Sequence, residues 1–200
     1  PTRRSSDLVL ASHFHPDHFN KEVLQWREQR PDIIYIFSKD ILRHRRAQKE
    51  DAVWLKKGEE YKDETLSVRA FGSTDVGVSF LLQASGKKIF HAGDLNNWHW
   101  MDESTEAQWK GAEKNFLHEL DDLYAYTPEV DVAMFPVDPR LGKEYMRGAG
   151  QFVTKIKTHI FVPMHFTPEY AKANAFRDFA EAHGVRFVSL THRGQKIEIE

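Results

Sequence analysis

The segment from His13 to His18 carries the clearest capacity for chemistry in this sequence. It reads His13-x-His15-x-Asp17-His18, so three imidazoles and one carboxylate stand close together in the chain. In an extended segment, residues two apart face the same way, and His13 and His15 therefore point to one side. The turn expected at Pro16 lets Asp17 and His18 face a second point nearby. Since imidazole and carboxylate groups bind transition metals, the spacing predicts two adjacent metal sites.

Two simpler roles compete with this interpretation. The motif could be a polar, solvated turn, or it could hold a purely structural metal. The motif directly follows the apolar run 8–11, which is typical of a buried strand, and α/β folds place their sites at such strand ends. Structural zinc sites are usually closed and rich in cysteine, whereas this chain contains no cysteine. Both observations favour a reactive site.

Further along the chain, Gly93-Asp94 follows another apolar strand and His165 follows a third. With these residues in this order, the sequence resembles the metallo-β-lactamase fold superfamily of metal-dependent hydrolases. Its hallmark is His-x-His-x-Asp-His at a strand end, a later Gly-Asp, and a last His near the C-terminus. The resemblance implies one metal ion on His13 and His15 and a second on Asp17, His18 and His165, with Asp94 bridging the two.

The same resemblance implies the fold. We expect one metallo-β-lactamase-like α/β domain over residues 1–200, an αβ/βα sandwich of two mixed β-sheets flanked by helices. The family normally has several strands before its first motif, but few residues precede His13 in this sequence. We therefore expect either that the fold lacks part of its N-terminal sheet or that this part is not included in the sequence.

Hydrolysis is the activity that the resemblance implies. One or two zinc ions, with manganese or iron as alternatives, would generate a metal-bound hydroxide. Asp17 would hold a metal ion and orient that hydroxide, and so is the predicted catalytic residue. An ester, lactone, amide or phosphodiester bond of a small-molecule substrate is open to such chemistry, and the fold does not choose among them.

One feature departs from the family pattern, because no histidine occurs between His44 and His91, where the family has an intermediate ligand. The corresponding stretch is 71–75. Asp75 is the best substitute by ligand type, since a carboxylate suits zinc, manganese or iron. An Asp shortly before Gly77 is equally typical of an ordinary turn residue. The sequence leaves both roles open, and with them the alternative of a non-catalytic metal-binding or partner-binding module of the same fold.

Three other polar groups have two interpretations each. His91 more often holds a neighbouring backbone group than a metal. The segment 96–100 carries two Trp around His99, which could wall a pocket or form a packed aromatic corner. Asp138 could orient a ligand histidine and Arg140 could meet an anionic substrate, or the two could form a plain turn with a surface ion pair.

Composition excludes several function classes. The 28 Lys and Arg against 30 Asp and Glu give a formal net charge of -2, so no overall positive field favours nucleic acid. No apolar run approaches the roughly 20 residues that span a bilayer. The absence of cysteine is compatible with a reducing cytoplasm, which is the expected compartment, although many exported proteins also lack cysteine.

The elements that must position these residues follow from the apolar pattern. Runs typical of strands are 8–11, 32–37, 53–55, 66–71, 78–82, 88–91, 131–136, 159–164, 186–190 and 196–200. Apolar residues at helical spacing predict a long amphipathic helix over 105–126, and a capping residue at Thr167 predicts another helix that ends near Gly184. Gly86-Lys87 predicts a hairpin turn.

Overall fold

The computed structural model describes residues 7–166 and 168–198, and two β-sheets face each other within this part of the chain. The smaller sheet has three strands that run parallel in chain order. They are β1 (Leu8–Ala11), β2 (Ile34–Ser38) and β3 (Val53–Leu55). The C-terminal end of β1 leads directly into the His13 motif.

The larger sheet has seven strands in the order β10-β9-β8-β7-β6-β5-β4. Its strands are β4 (Glu60–Lys62), β5 (Leu66–Phe71), β6 (Ser79–Ala84), β7 (Lys87–His91), β8 (Glu129–Pro136), β9 (Lys157–Met164) and β10 (Arg186–Phe187). Strands β4 to β7 pair antiparallel, and β7 to β10 pair parallel. Neighbouring parallel strands such as β8 and β9 therefore bring their C-terminal ends to one edge of the sheet.

Helices cover the outer faces of both sheets. They are α1 (Lys39–Arg43), α2 (Glu106–Tyr126), α3 (Arg147–Lys155), α4 (Tyr170–Asn174) and α5 (Arg177–Ala182), with 3₁₀ helices at Lys21–Glu28, Lys49–Asp51 and Pro139–Glu144. On the larger sheet, α2, α3 and α5 enclose a core rich in phenylalanine, including Phe90, Phe116, Phe135 and Phe152. The predicted α/β sandwich of two sheets flanked by helices is confirmed. The larger sheet is mixed as predicted, while the described strands of the smaller sheet all run parallel.

A second core holds the two sheets together. Ile36 and Leu55 from the smaller sheet pack with Val68, Ala70 and Phe80 from the larger one, and all five are buried. Burying a side chain of this kind stabilises the fold by about 1.5 to 3 kcal/mol. Leu8 and Leu10 of β1 pack against the same core, which holds β1, and the His13 motif that follows it, against the larger sheet.

Most of the elements expected from the sequence are confirmed. The long helix is α2, whose Thr105 forms a capping box with Gln108. The hairpin turn lies at Ser85-Gly86, one residue earlier than predicted, and both residues have positive φ. Only Arg186–Phe187 of the predicted strand 186–190 pairs, residues 196–198 form no strand, and Thr167 and residues 199–200 lie outside the described part.

The sequence analysis missed β4 and α3. Helix α3 contains Gly148 and Gly150, which lower helix propensity and hide the helical pattern. Gly148 is required for packing, because a Cβ there would lie 2.0 Å from Oδ1 of Asn96. Tertiary contact, not local propensity, therefore decides this helix. None of the helices in the described ranges has the length and apolar composition of a membrane span.

Gly77 lets the loop between β5 and β6 cross the end of β1. Its φ is +77°, and a Cβ at this position would lie 2.0 Å from the backbone oxygen of Ser12 and 2.5 Å from Cβ of His13. The next residue, Val78, donates its backbone N–H to the same Ser12 oxygen at 3.0 Å. Glycine alone fits this contact, which joins the two sheets beside the His13 motif.

We expect Gly77→Ala to destabilise the protein by about 2 kcal/mol or more, because it combines a strained φ with a clash against backbone. Urea unfolding followed by circular dichroism measures the loss. Gly58→Ala is the matched control, since Gly58 also has positive φ, +87°, but open space around it. Equal losses in the two variants would show that the close approach at Gly77 contributes nothing.

Candidate metal centre

Chain segments that are far apart in the sequence meet at one edge of the sandwich. His13 follows β1, Asp94 follows β7, His165 follows β9, and Asp75 lies in the loop between β5 and β6. Because the C-terminal ends of parallel strands share an edge, their side chains converge there. The result is two adjacent groups of candidate ligands.

The first cluster consists of His13, His15, Asp75 and Asp94, whose ligand atoms all lie within 4.8 Å of one another. Nε2 of His13 is 3.0 Å from Nδ1 of His15 and 3.4 Å from Oδ2 of Asp94. The His13 side chain is fully buried, and burial together with the neighbouring His18 lowers its pKa. A neutral imidazole is the form that binds metal.

The second cluster consists of Asp17, His18 and His165, again with ligand atoms within 4.8 Å of one another. Oδ2 of Asp17 lies 3.6 Å from Nε2 of His18. The Asp17 side chain is 72% exposed, whereas that of His18 is only 16% exposed. Asp17 therefore sits at the mouth of the site, where solvent and substrate have access.

Asp94 lies between the two clusters and faces both. Its Oδ2 points toward His13, while its Oδ1 lies 3.1 Å from Nε2 of His18 and 3.4 Å from Nε2 of His165. Burial by itself raises the pKa of Asp94, but its contacts with the imidazoles of His165 and His18 hold the pKa well below its ordinary value. All six residues that the sequence analysis named as ligands therefore meet in one place.

The donor atoms fit divalent metal ions. Oδ1 of Asp94 is buried and accepts no hydrogen bond of good geometry from the described residues, although imidazole nitrogens surround it. A buried carboxylate oxygen normally has a partner, and a cation between Asp94 and the facing nitrogens would provide one. Four His and several Asp also form a donor set that suits zinc, manganese or iron.

His165 is held in place by Asp138. Oδ2 of Asp138 lies 2.8 Å from Nδ1 of His165, which leaves Nε2 free to face Asp94. Burial lowers the pKa of His165, but the hydrogen bond to Asp138 and the nearby carboxylate of Asp94 outweigh burial and raise the pKa to about 9. The two carboxylates therefore favour the protonated form of His165. Asp138 also pairs with Arg140 at 2.6 Å, so it contacts a candidate ligand histidine and forms the ion pair at the same time.

Ser12 is a site residue that the sequence analysis missed. Its buried Oγ lies 3.0 Å from Nδ1 of His13 and 3.4 Å from Nδ1 of His18. One hydroxyl can accept from two imidazole N–H groups, and this contact directs Nε2 of both rings toward Asp94. The available signal was its position between a buried strand and the first His of the motif.

Two contacts of Phe14 hold the middle of the His13 motif in place. The N–H of Phe14 donates to Oδ2 of Asp40 at 3.0 Å, and the Phe14 ring stacks on His44 with centroids 3.7 Å apart.

His91 holds a neighbouring backbone group, which is the role that the sequence favoured for it. Its Nδ1 accepts the backbone N–H of Gly93. Burial lowers the pKa of His91.

The segment 96–100 forms both a pocket wall and a packed corner. His99 is buried and bonds the backbone oxygen of Glu144 through Nε2 at 3.1 Å. Trp98 and Trp100 instead line a cavity of about 280 Å³, together with Thr74, Asp75, Asp94, Arg140 and His165. A second cavity of about 290 Å³ is lined by Asp17, Asp138, Pro139, Arg140, His165, Phe166 and Glu169. Both clusters therefore open onto space of small-molecule size.

Comparison with known proteins gives a family match for the sequence and similar solved structures for the fold. The sequence profile of the beta-lactamase superfamily domain matches residues 1–166. A candidate metal-dependent hydrolase from Parabacteroides distasonis has a similar structure with a TM-score of 0.62, at 17% identity over 92% of this chain and 77% of that one. None of the curated proteins has a sequence that matches.

Two further solved structures share the fold. The metallo-beta-lactamase fold protein YhfI from Bacillus subtilis is similar with a TM-score of 0.58, at 11% identity over 92% of this chain and 75% of that one. Zinc-bound PqqB from Methylobacterium extorquens is similar with a TM-score of 0.53, at 16% identity over 91% of this chain and 70% of that one.

We expect Ser12→Ala to weaken metal binding about 10- to 100-fold, because the imidazoles of His13 and His18 lose the hydroxyl that orients them. Isothermal titration with Zn²⁺ measures this change. Thr158→Ala is the control, since the buried Thr158 hydroxyl donates to the backbone oxygen of Ile156 and contacts no histidine in the described residues. Comparable Zn²⁺ affinity in the two variants would contradict the role given to Ser12.

Proposed function

Because this chain belongs to the metallo-β-lactamase superfamily, we propose that it is a metal-dependent hydrolase. Its substrate is a small molecule with an ester, lactone, amide or phosphodiester bond. The observation that carries the proposal is the placement of Asp94, whose two oxygens face two separate groups of ligand atoms. One buried carboxylate shared in this way suits a pair of metal ions a few ångströms apart.

The ligand residues follow from the two clusters. His13, His15 and Asp94 would hold one ion, and Asp17, His18, His165 and Asp94 the other. Zinc is the expected metal, with manganese or iron as alternatives. When bound, such ions lower the pKa of a coordinated water and polarise the scissile oxygen of the substrate.

Two carboxylates of the chain would orient the attacking water and a ligand histidine. Asp17 has an exposed carboxylate at the mouth of the second cluster, where it can accept a hydrogen bond from the attacking water and orient it. Asp138 holds the ring of His165 so that Nε2 faces Asp94. This arrangement of a carboxylate behind a histidine fixes the tautomer and direction of a ligand ring.

Arg140 would support substrate binding in the cavities beside the two clusters. Its guanidinium lines both cavities, and its side chain is 63% exposed even though it pairs with Asp138. An exposed guanidinium beside the reacting bond can stabilise negative charge that develops on a carbonyl or phosphoryl oxygen. Trp98 and Trp100 add apolar surface for the rest of a small substrate.

A non-catalytic metal-binding module of the same fold is the alternative function, and Asp17 separates the two. We expect Asp17→Ala to lower kcat at least about 100-fold on any substrate that the protein hydrolyses, because the second ion loses a ligand and the water loses its orienting carboxylate. The side chain is largely exposed, so the free energy of unfolding should change little. The assay uses zinc- or manganese-loaded protein with p-nitrophenyl esters, lactones and bis(p-nitrophenyl) phosphate near pH 7.5.

His159→Ala is the control for this experiment. His159 is half exposed and pairs with Glu129 at the other end of the larger sheet, so its loss should leave kcat unchanged. A metal-loaded protein that turns over none of these substrates would instead support the non-catalytic module.

A further inference from the structure

We propose that Asp75 is a ligand of the first metal ion. Each ion would then be bound by two imidazoles and two carboxylates, with Asp94 shared. We further infer that Asp75 raises the affinity of the centre for Mn²⁺ relative to Zn²⁺, compared with a centre that has an imidazole at this position. This inference rests on the proposed function only in that the two clusters bind metal ions.

The distances in the first cluster fit one ion. Ligand atoms bound about 2.1 Å from a metal lie roughly 3.0 to 3.4 Å from one another in octahedral or tetrahedral geometry. The separations from Nε2 of His13 to Nδ1 of His15 and to Oδ2 of Asp94 are 3.0 and 3.4 Å. Oδ2 of Asp75 lies 4.0 Å from Nδ1 of His15, and the Asp75 side chain is 46% exposed, which leaves it space to turn toward an ion.

The loop that carries Asp75 is fixed on both sides of it. On one side, Thr74 donates its hydroxyl to the backbone oxygen of Asn96 at 2.5 Å and accepts the Asn96 N–H at 2.9 Å, which ties the loop to the segment after Asp94. On the other side, Gly77 packs against Ser12 and His13. Both anchors lead to residues of the first cluster, so Asp75 is held beside it by contacts in two directions.

The contacts of Asp75 differ from those of a turn-forming aspartate. Asp63 shows the turn role in this chain, because its Oδ1 accepts the backbone N–H groups of Thr65 at 2.7 Å and Leu66 at 3.0 Å. Within the described residues, the carboxylate of Asp75 accepts no hydrogen bond, and only its backbone N–H bonds, to Oγ of Ser73. The carboxylate instead faces His15 and the cavity.

The types of donor group in the complete centre indicate the class of metal. Asp17, Asp75 and Asp94 contribute three carboxylates beside four imidazoles, all grouped as candidate ligands. Carboxylate donors suit manganese, whereas imidazole donors suit zinc. Replacing the Asp75 carboxylate by an imidazole should therefore move the centre toward zinc.

The test titrates metal-free protein with Mn²⁺ alone and with Zn²⁺ alone by calorimetry, and counts bound metal by elemental analysis. The parent chain should bind two ions. Asp75→Asn should keep one ion and bind the other at least about tenfold more weakly. Asp75→His should bind two ions again, with the ratio of Zn²⁺ to Mn²⁺ affinity raised at least about tenfold. Asp178→Asn, an exposed position on α5, is the matched control and should bind as the parent does.

Two results would overturn the inference. Asp75→Asn that binds two ions with parental affinity would show that Asp75 is a turn residue, and a parent chain that binds a single ion would show that the first site does not form. Neither result depends on turnover, so loss of hydrolysis in Asp17→Ala can still support the proposed function. Conversely, two ions bound through Asp75 without any hydrolysis would sustain this inference and reject the proposed function.

Discussion

The site depends on the burial of one negative charge. Asp94 is only 6% exposed, and removing an ionised carboxylate from water costs several kcal/mol unless partners compensate for it. The partners are imidazoles of His13, His18 and His165, which reach Asp94 from the ends of two other strands. The sheets must hold these strand ends within hydrogen-bonding distance, so the packing of the whole sandwich is coupled to this carboxylate.

Two cores and one glycine contact provide that rigidity. The phenylalanine-rich core under α2, α3 and α5 supports β7 to β9, which lead to Asp94 and His165. The core between the sheets supports β1, which leads to His13. At Gly77 the backbones of the two sheets approach more closely than any side chain allows. The ligands therefore come from rigid elements, which suits a site that must keep a fixed geometry.

Backbone strain is concentrated at the same edge of the molecule. His165 has φ of +64° and Trp100 has φ of +43°, values that are rare for residues other than glycine. Such conformations cost about 1 to 3 kcal/mol each and persist where surrounding contacts enforce them. Asp138 holds the His165 ring, and the buried His99 anchors the backbone beside Trp100. These strained conformations lower the stability of the fold, and they direct His165 toward Asp94 and Trp100 toward the cavity.

From the sequence alone, the spacing from His13 to His18 predicted metal sites. The family resemblance carried by that motif, Asp94 and His165 implied the fold class and the remaining candidate ligands. These motifs are local, so they can be recognised without knowledge of contacts. Helix α3, the hydroxyl of Ser12 and the position of Asp75 depended on the tertiary structure. Each is defined by what approaches it from elsewhere in the chain: Asn96 against Gly148, His18 against Ser12, and His15 against Asp75. Contacts between distant segments follow from how the sheets pack, and no spacing along the chain encodes them.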